Sequence, residues 1–336
     1  MNFRYYNLFL IVAGIFLTGM VKAQSPDYIT SVQEPLKYTV SQPVAAETID
    51  ANLSKPQQRR KIMTYLKSLE AANPNYNETK TRNLYRLANL FTKLRLYPLA
   101  MKCFFKTIRT DADSISSGDL AITSGDDSTL EKQVRLLGAD TDKDIKSKPI
   151  SNDKIINTFN DGKTAIAYAL VFHVKQPVRG KPQIYKLANT GHTFITLIKY
   201  NSDSTYASAS FGFYPKKDNL LSATPIIPST SSTFKDDSEH AWDEVLGKFI
   251  SKRRFNKILA LTQQYDKVSY HLSKNNCTDF GLKAASLAGL DVWETKGSWP
   301  LGSGNNPGIT GQSILNGKFD NADTGNSKDL LIDLNQ

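Results

Sequence analysis

The sequence is short of the residues on which metal and thiol chemistry depends. Its 336 residues include only two cysteines, Cys103 and Cys277, and four histidines. It has no glycine-rich phosphate loop, no Gly-x-Ser-x-Gly elbow, no His-Glu-x-x-His pair and no paired-cysteine knuckle. These absences argue against nucleotide-phosphate, serine-hydrolase and zinc-protease chemistry, and they predict a protein that uses neither a metal nor another cofactor.

Long apolar runs are also missing, with one exception near the first residue. A mostly apolar stretch, 8–20, follows Arg4 and precedes Val21-Lys22-Ala23. At about 1.5 Å per residue this stretch is too short to cross about 30 Å of hydrocarbon. The pattern therefore predicts a signal peptide over residues 1–23 rather than a membrane span. We expect an exported protein, either periplasmic or secreted.

The net charge is positive, at +10. A basic protein outside the cytoplasm favours anionic surroundings such as cell-wall polymers or lipopolysaccharide. Because no cluster of Lys and Arg is interleaved with aromatic residues, the sequence does not predict a nucleic-acid partner.

Hydrophobic periodicity divides the first half of the chain. After an N-terminal extension, 24–55, residues 56–109 repeat apolar positions at helical spacing and predict a small α-helical domain. Residues 84–108 resemble one tetratricopeptide hairpin, which could dock a protein partner. Residues 110–161 are rich in Asp, Ser, Gly and Lys, so they predict a linker.

The second half changes to the period of β-strands. Residues 162–316 form the predicted main domain, and 317–336 form a C-terminal tail. Strands are predicted at 164–174, 192–200, 205–213 and 243–250. Ser251 is a predicted cap for a helix that continues to Tyr265.

Cys277 stands at the start of a predicted helix that Gly289 closes. The unpaired N–H groups and positive dipole of a helix start stabilise a thiolate and a developing oxyanion. A nucleophilic thiol also needs an imidazole base. His192 is the preferred candidate because it opens a strand directly after Gly191, which allows close approach of the Cys277 helix.

The other three histidines are less suitable as the base. His173 lies in the middle of a strand and is expected to be a satisfied core residue. His240 falls in a polar insert and is expected to be solvated. His271 precedes Cys277 by six residues and is expected to line the cleft.

Two motifs together resemble a known superfamily. Gly191-His192-Thr193-Phe194, followed by Asn276-Cys277-Thr278-Asp279-Phe280, is similar to permuted papain-like domains of the NlpC/P60 superfamily, which includes lecithin:retinol acyltransferase relatives. The resemblance covers about 164–316. It implies an α+β fold in which an antiparallel sheet packs on a Cys-bearing helix, and it implies a cysteine hydrolase of amidase or peptidase type.

The resemblance also implies roles for particular residues. His192 would accept the Cys277 proton, and the sulfur would attack a carbonyl in a peptide, protein or cell-wall substrate. Ser208 or Ser210, on the polar face of the third strand, are the nearest matches to the residue that orients the histidine. The expected cleft-lining residues are Gly191, Tyr214, Asn276 and His271.

Three alternatives remain open at this point. Cys103 and Cys277 could form a disulfide, as an even pair often does in an exported protein. The domain could be a catalytically inactive module that binds peptide or glycan through Tyr214 and three tryptophans, Trp242, Trp293 and Trp299. It could also be a lipid acyl hydrolase or acyltransferase.

Overall fold

A computed structural model of the chain describes residues 78–108, 120–123, 125–126, 146–186, 189–216, 219 and 221–334. The predicted signal peptide and N-terminal extension lie outside the described residues. In chain order the elements are α1 (Glu78–Lys93), α2 (Tyr97–Ile108), β1 (Lys148–Ile150), α3 (Asn152–Phe159), β2 (Ala165–Lys175), β3 (His192–Asn201), β4 (Tyr206–Pro215), β5 (Ser229–Thr230), β6 (Ser232–Asp236), β7 (Glu244–Ile250), α4 (Lys252–Tyr265), β8 (Tyr270–His271), α5 (Cys277–Ala288), β9 (Leu290–Val292), β10 (Lys296–Trp299), β11 (Gly302–Asn305), α6 (Pro307–Leu315), β12 (Phe319–Asn321) and β13 (Leu331–Leu334).

The centre of the described fold is an antiparallel sheet of seven strands in the order β1-β6-β4-β3-β2-β7-β13. Strand β3 occupies the middle, and all of its residues are buried. The mixed α+β class with a large antiparallel sheet is therefore confirmed.

Helices cover both faces of this sheet. Because side chains alternate along a strand, β3 points Phe194 and Ile198 to one face and Ile195 and Leu197 to the other. Helices α3, α4, α5 and α6 cover the second face and share a hydrophobic core with Ile195 and Leu197.

Helices α1 and α2 lie on the first face. The Tyr200 hydroxyl donates to the Pro98 carbonyl at 2.7 Å, and the rings of Phe105 and Phe249 are 5.1 Å apart. The described residues all belong to one compact unit. The described part of the predicted helical domain is therefore one layer of the larger domain, because its apolar stripe has the sheet as its partner.

The sheet also includes strands that lie before and after residues 162–316, the predicted bounds of the main domain. Strand β1 and helix α3 fall within residues 110–161, which the composition predicted to be a linker. Strand β13 falls within the predicted tail and pairs with β7. Among the described residues, no helix has the length and hydropathy needed to cross a membrane.

Candidate active site

The position of Cys277 follows from how helix α5 begins. Asn276 is the N-cap, and its side-chain oxygen accepts from the N–H groups of Thr278 at 2.8 Å and Asp279 at 3.0 Å. The Asp279 carboxylate accepts from the Asn276 N–H in return, at 2.9 Å. This reciprocal capping box fixes the first turn, so Cys277 is held at the N-terminal end of the helix as predicted.

A glycine in α5 brings the helix close to the sheet. A Cβ atom on Gly281 would lie 2.6 Å from Cγ2 of Thr193 and 2.9 Å from the Phe172 ring. The predicted reason for Gly191 was wrong, since a Cβ there would meet the carbonyl oxygen of Lys175 and the start of α6, not α5. Its positive φ of 72° instead suits the turn that leads into β3.

His192 is the first residue of β3, and its two sides face different partners. Its Nε2 atom lies 3.1 Å from Oδ2 of Asp237. The thiol of Cys277 is close enough to the ring for the two groups to shift each other's pKa. Since Nε2 is taken by Asp237, Nδ1 is the ring nitrogen left for the sulfur. The structure thus brings the predicted pair together and adds a carboxylate behind the histidine.

Asp237 follows strand β6 and is fully buried. Its N–H donates to the Ser210 carbonyl at 2.9 Å, which continues the pairing of β6 with β4 by one residue. Its Oδ1 atom accepts two hydrogen bonds of 2.6 Å, from the hydroxyls of Ser147 and Tyr214. Both oxygens of the carboxylate therefore have donors, as a buried charge requires.

Gly212 provides the space in which His192 and Asp237 meet. A Cβ atom at this position would lie 2.4 Å from Nε2 of His192 and 2.5 Å from Oδ2 of Asp237. Any larger residue would force the two groups apart, so the contact depends on glycine at this point of β4.

The charges of the three groups are coupled. Burial by itself would lower the pKa of His192, but the Asp237 carboxylate and the Cys277 sulfur outweigh it and raise that pKa from 6.5 to about 9. Burial opposes ionisation of Cys277, but the His192 ring lowers the net pKa of the thiol. The pKa of Asp237 is lowered because His192 outweighs the effect of burial. The arrangement favours a thiolate–imidazolium ion pair.

Three further groups surround the sulfur. The Thr193 N–H and the Thr278 hydroxyl, which lies 3.9 Å from Sγ, both help to lower the pKa of Cys277. Tyr270 is buried beside Cys277, and the thiol and the backbone N–H of Cys277 both affect the pKa of its hydroxyl. Burial raises the pKa of Tyr270, so its hydroxyl keeps its proton and remains a donor.

The predicted orienting residues do not contact His192. The Ser210 hydroxyl is 2.7 Å from Oγ1 of Thr196, and Ser208 lies opposite Ile198, further along the sheet. The predicted face was correct, because Ser208, Ser210 and Gly212 alternate on the side of His192. The residue that contacts the His192 ring is Asp237 instead, which follows β6 and reaches the histidine over Gly212 of the intervening strand β4.

Asp237 lay in the segment that the sequence analysis treated as a polar insert. The burial of Phe234 between less buried neighbours is typical of a strand with one covered face, but only the structure shows it, because Phe234 is the one apolar residue from Ser232 to Asp236. A strand at this place would have put an acidic residue at the edge of the site.

The expected cleft-lining residues have different roles. Tyr214 lies beside the site, with its ring 4.2 Å from that of His192. The Asn276 amide donates to two backbone carbonyls, so its polar atoms are occupied in holding the start of α5. The His271 ring accepts from the Ser273 N–H, and the neighbouring Tyr270 is the residue that reaches Cys277.

The remaining histidines also differ from one another. His173 is fully buried as expected, and its Nε2 lies 2.9 Å from the Thr196 hydroxyl. His240 was predicted to be solvated, but its half-buried ring lies 5.0 Å from the ring of His192 and 5.5 Å from that of Phe194.

The two cysteines are not joined. Cys103 and Cys277 are both free and buried, which argues against the predicted disulfide alternative. Cys103 is enclosed in α2, whereas Cys277 retains 7% exposure. Of the three tryptophans, Trp242 is buried in the core, so it is not available for the predicted binding surface, and Trp293 is exposed.

Among the described residues, no group of three or more His, Cys, Asp or Glu side chains could hold a metal ion. Comparison of the chain with known proteins found no matching family model, no matching curated protein and no matching solved structure.

Proposed function

We propose that this protein is an exported cysteine hydrolase of the amidase or peptidase type, which transfers acyl groups through a thioester on Cys277. The observation that supports this proposal most directly is the arrangement of Cys277, His192 and Asp237: Nε2 of His192 lies 3.1 Å from Oδ2 of Asp237, and the imidazole lowers the pKa of the thiol while its own pKa is raised. A structural cysteine would have no need of either shift.

In the first half of the reaction, the Cys277 thiolate attacks the carbonyl carbon of an amide and the carbonyl oxygen becomes an oxyanion. The Cys277 N–H at the start of helix α5 and the Tyr270 hydroxyl beside it are the donors that would hold that oxyanion. The His192 imidazolium then gives its proton to the departing amine as the C–N bond breaks. The product of this half is a thioester.

In the second half, His192 acts as a base towards water. The resulting hydroxide attacks the thioester carbonyl, the C–S bond breaks, and the thiolate returns with the proton left on His192. Asp237 keeps the imidazole oriented in both halves and offsets its positive charge. No step requires a cofactor.

We further propose that the domain is papain-like, with the permuted order that the two motifs resemble. The substrate class that fits best is a peptide amide of the cell wall, because the predicted signal peptide and the net charge of +10 favour an anionic extracellular environment. The basic character thus bears on where the enzyme works rather than on its chemistry.

Thiol labelling tests the proposed nucleophile, and the second cysteine provides the control. We expect iodoacetamide to add one group to the native protein at neutral pH, as read by intact mass. That adduct should disappear in Cys277→Ala and remain in Cys103→Ala. The His192→Ala variant should label at least about tenfold more slowly, since one pKa unit of thiol activation is worth about 1.4 kcal/mol. Labelling of Cys103 first, or an unchanged rate in His192→Ala, would contradict the proposed pair.

A product assay tests the substrate. Wild type and Cys277→Ala would be incubated with peptidoglycan peptide fragments and, separately, with acyl-lipid mixtures, and products would be read by mass. Amide cleavage by the wild type alone supports the proposal. Release of fatty acid would indicate a lipid hydrolase, and binding without products would indicate an inactive module.

A further inference from the structure

Exposed aliphatic side chains are concentrated in one loop next to the candidate active site. The loop of residues 221–228 carries Leu221, Ile226 and Ile227, which are 41%, 51% and 38% exposed. The described residues contain only three other large exposed hydrophobic side chains, Ile166, Trp293 and Leu301. Single exposed apolar residues are ordinary, but three within seven positions call for a physical reason.

The loop is built to present these side chains outward. Ser222 pairs with Ile227 across the loop, and the Thr224 N–H donates to the carbonyls of Leu221 and Ile227 at 3.2 Å each. Ser222 itself is buried. The polar residue therefore faces inward and the aliphatic residues face outward, which is the reverse of what hydrophobic burial alone would give.

A second apolar tip lies near the first. Leu301 is 85% exposed in the turn between β10 and β11. Both loops pack against the same corner of the chain: the Leu272 N–H donates to the Pro228 carbonyl at 2.9 Å, and Gly304 fits so closely that a Cβ would lie 2.8 Å from the Ser273 carbonyl oxygen. We call Leu221, Ile226, Ile227 and Leu301 the apolar rim.

The segments that form the apolar rim and its support carry only positive charge between the acidic residues at their ends, which are Asp218, Asp236, Asp266, Asp279 and Glu294. The segments 219–235, 267–278 and 295–317 form the two loops and the corner between them, and they contain neither Asp nor Glu. Their charged residues are four lysines: Lys235, Lys267, Lys274 and Lys296. The last three are exposed. This surface is complementary to an anionic partner rather than to a neutral one.

We infer that the apolar rim docks the protein on an anionic lipid surface. The aliphatic tips would enter the boundary between headgroups and acyl chains, and the lysines would face the lipid phosphates. A lipid surface fits better than a protein partner because the rim consists of aliphatic side chains on projecting loops, whereas protein interfaces concentrate their energy in aromatic and Arg side chains within pockets. The inference does not depend on the proposed hydrolase activity.

Vesicle flotation tests the inference with the full chain without its signal segment. We expect the protein to float with vesicles that contain phosphatidylglycerol and to remain unbound with pure phosphatidylcholine. Binding should weaken as salt approaches about 1 M, where the screening length falls to about 3 Å. Failure of the wild type to float with the anionic vesicles would overturn the inference.

Matched variants test which residues are responsible. Ile226→Ser combined with Leu301→Ser should weaken vesicle binding at least about tenfold, because each buried CH₂ contributes about 0.8 kcal/mol. The control combines Ile166→Ser with Trp293→Ser, which removes comparable exposed apolar groups outside the rim and should leave binding unchanged. An equal loss in both variants would overturn the assignment to the rim.

Two further readouts separate the remaining outcomes. The rate of Cys277 labelling should be the same in the rim variant and the wild type, which shows that the variant is folded and that docking is independent of the thiol. Retention of the protein by a soluble polyanion together with absence of flotation would assign the basic surface to an anionic polymer and reject the lipid.

Discussion

Two histidine rings lie on the same face of the sheet, one on each side of Phe194. The ring of His173 is 4.3 Å from that of Phe194, and the ring of His192 is 5.9 Å from it. His173 sits in the middle of β2, where its hydrogen-bonding partner is the Thr196 hydroxyl. His192 sits at the start of β3, where its partner is the Asp237 carboxylate.

The two environments have opposite effects on charge. Burial lowers the pKa of His173 well below 6.5, so this ring is neutral. Burial also acts on His192, but the carboxylate and the thiol raise the pKa of that ring to about 9. Similar burial therefore gives a neutral imidazole beside a hydroxyl and a charged imidazole beside a carboxylate. The middle of this face thus holds a neutral imidazole that packs in the core, and its end holds a charged one.

Replacing Asp237 with Asn should have the largest effect, because it would make the surroundings of His192 resemble those of His173. Without the carboxylate, burial lowers the pKa of His192 and the thiol loses its cationic partner. We expect the pH of half-maximal Cys277 labelling to rise, since the pKa of the thiol is no longer lowered by a charged imidazole, and the rate at neutral pH to fall by about tenfold. A pH–rate profile with iodoacetamide measures both.

The neighbouring residue supplies the control for this substitution. Asp236→Asn changes an exposed carboxylate one position away and should leave the labelling profile unchanged. If both variants shift the profile equally, the general charge of this edge, and not the contact with His192, controls the thiol.

A change beside His173 should lower the stability of the protein and leave the reactivity of Cys277 intact. Thr196→Val removes the partner of His173 Nε2, and its Nδ1 atom has no partner among the described residues. We expect the free energy of unfolding to fall by about 1–3 kcal/mol, the cost of a buried polar group left unsatisfied. Urea denaturation measures this change. A fall in Cys277 labelling of the folded variant by more than about threefold would show that the two histidines are coupled.

The smallest effect is expected from Tyr214→Phe. This change removes one of the two hydroxyl donors on Oδ1 of Asp237, while Ser147 remains. A hydrogen bond to a charged group contributes about 1.5–3 kcal/mol, and the second donor retains part of it. We expect the midpoint of the labelling profile to rise by less than about one pH unit. A shift as large as that of Asp237→Asn would show that Tyr214, not Asp237, holds the histidine.

Local features of the fold were predictable from the sequence. The strand 192–200 and the helix that Ser251 caps were found within one residue of β3 and α4, because alternation and capping are local signals. The helix that begins at Cys277 and ends at Gly289 was found for the same reason, and Gly289 has the left-handed φ of 77° expected of such an end.

Features that depend on strand pairing were not predictable in this way. Asp237 is 45 residues from His192 in sequence, and the two meet only because β6 pairs with β4 beside β3. The placement of α2 on the sheet likewise rests on distant contacts such as Tyr200 with Pro98. The apolar stripe of an amphipathic helix shows that one face packs against another element, but the helix sequence does not identify that element.

The lowered pKa of Cys277 has a further consequence, which concerns oxidation. The thiolate is the form that peroxide converts to sulfenic acid, and a nearby second thiol normally rescues that product as a disulfide. The only other cysteine is Cys103, which is enclosed in α2 and is not bonded to Cys277. The chain therefore carries no resolving thiol of its own, and recovery from oxidation at Cys277 requires a reductant supplied from outside.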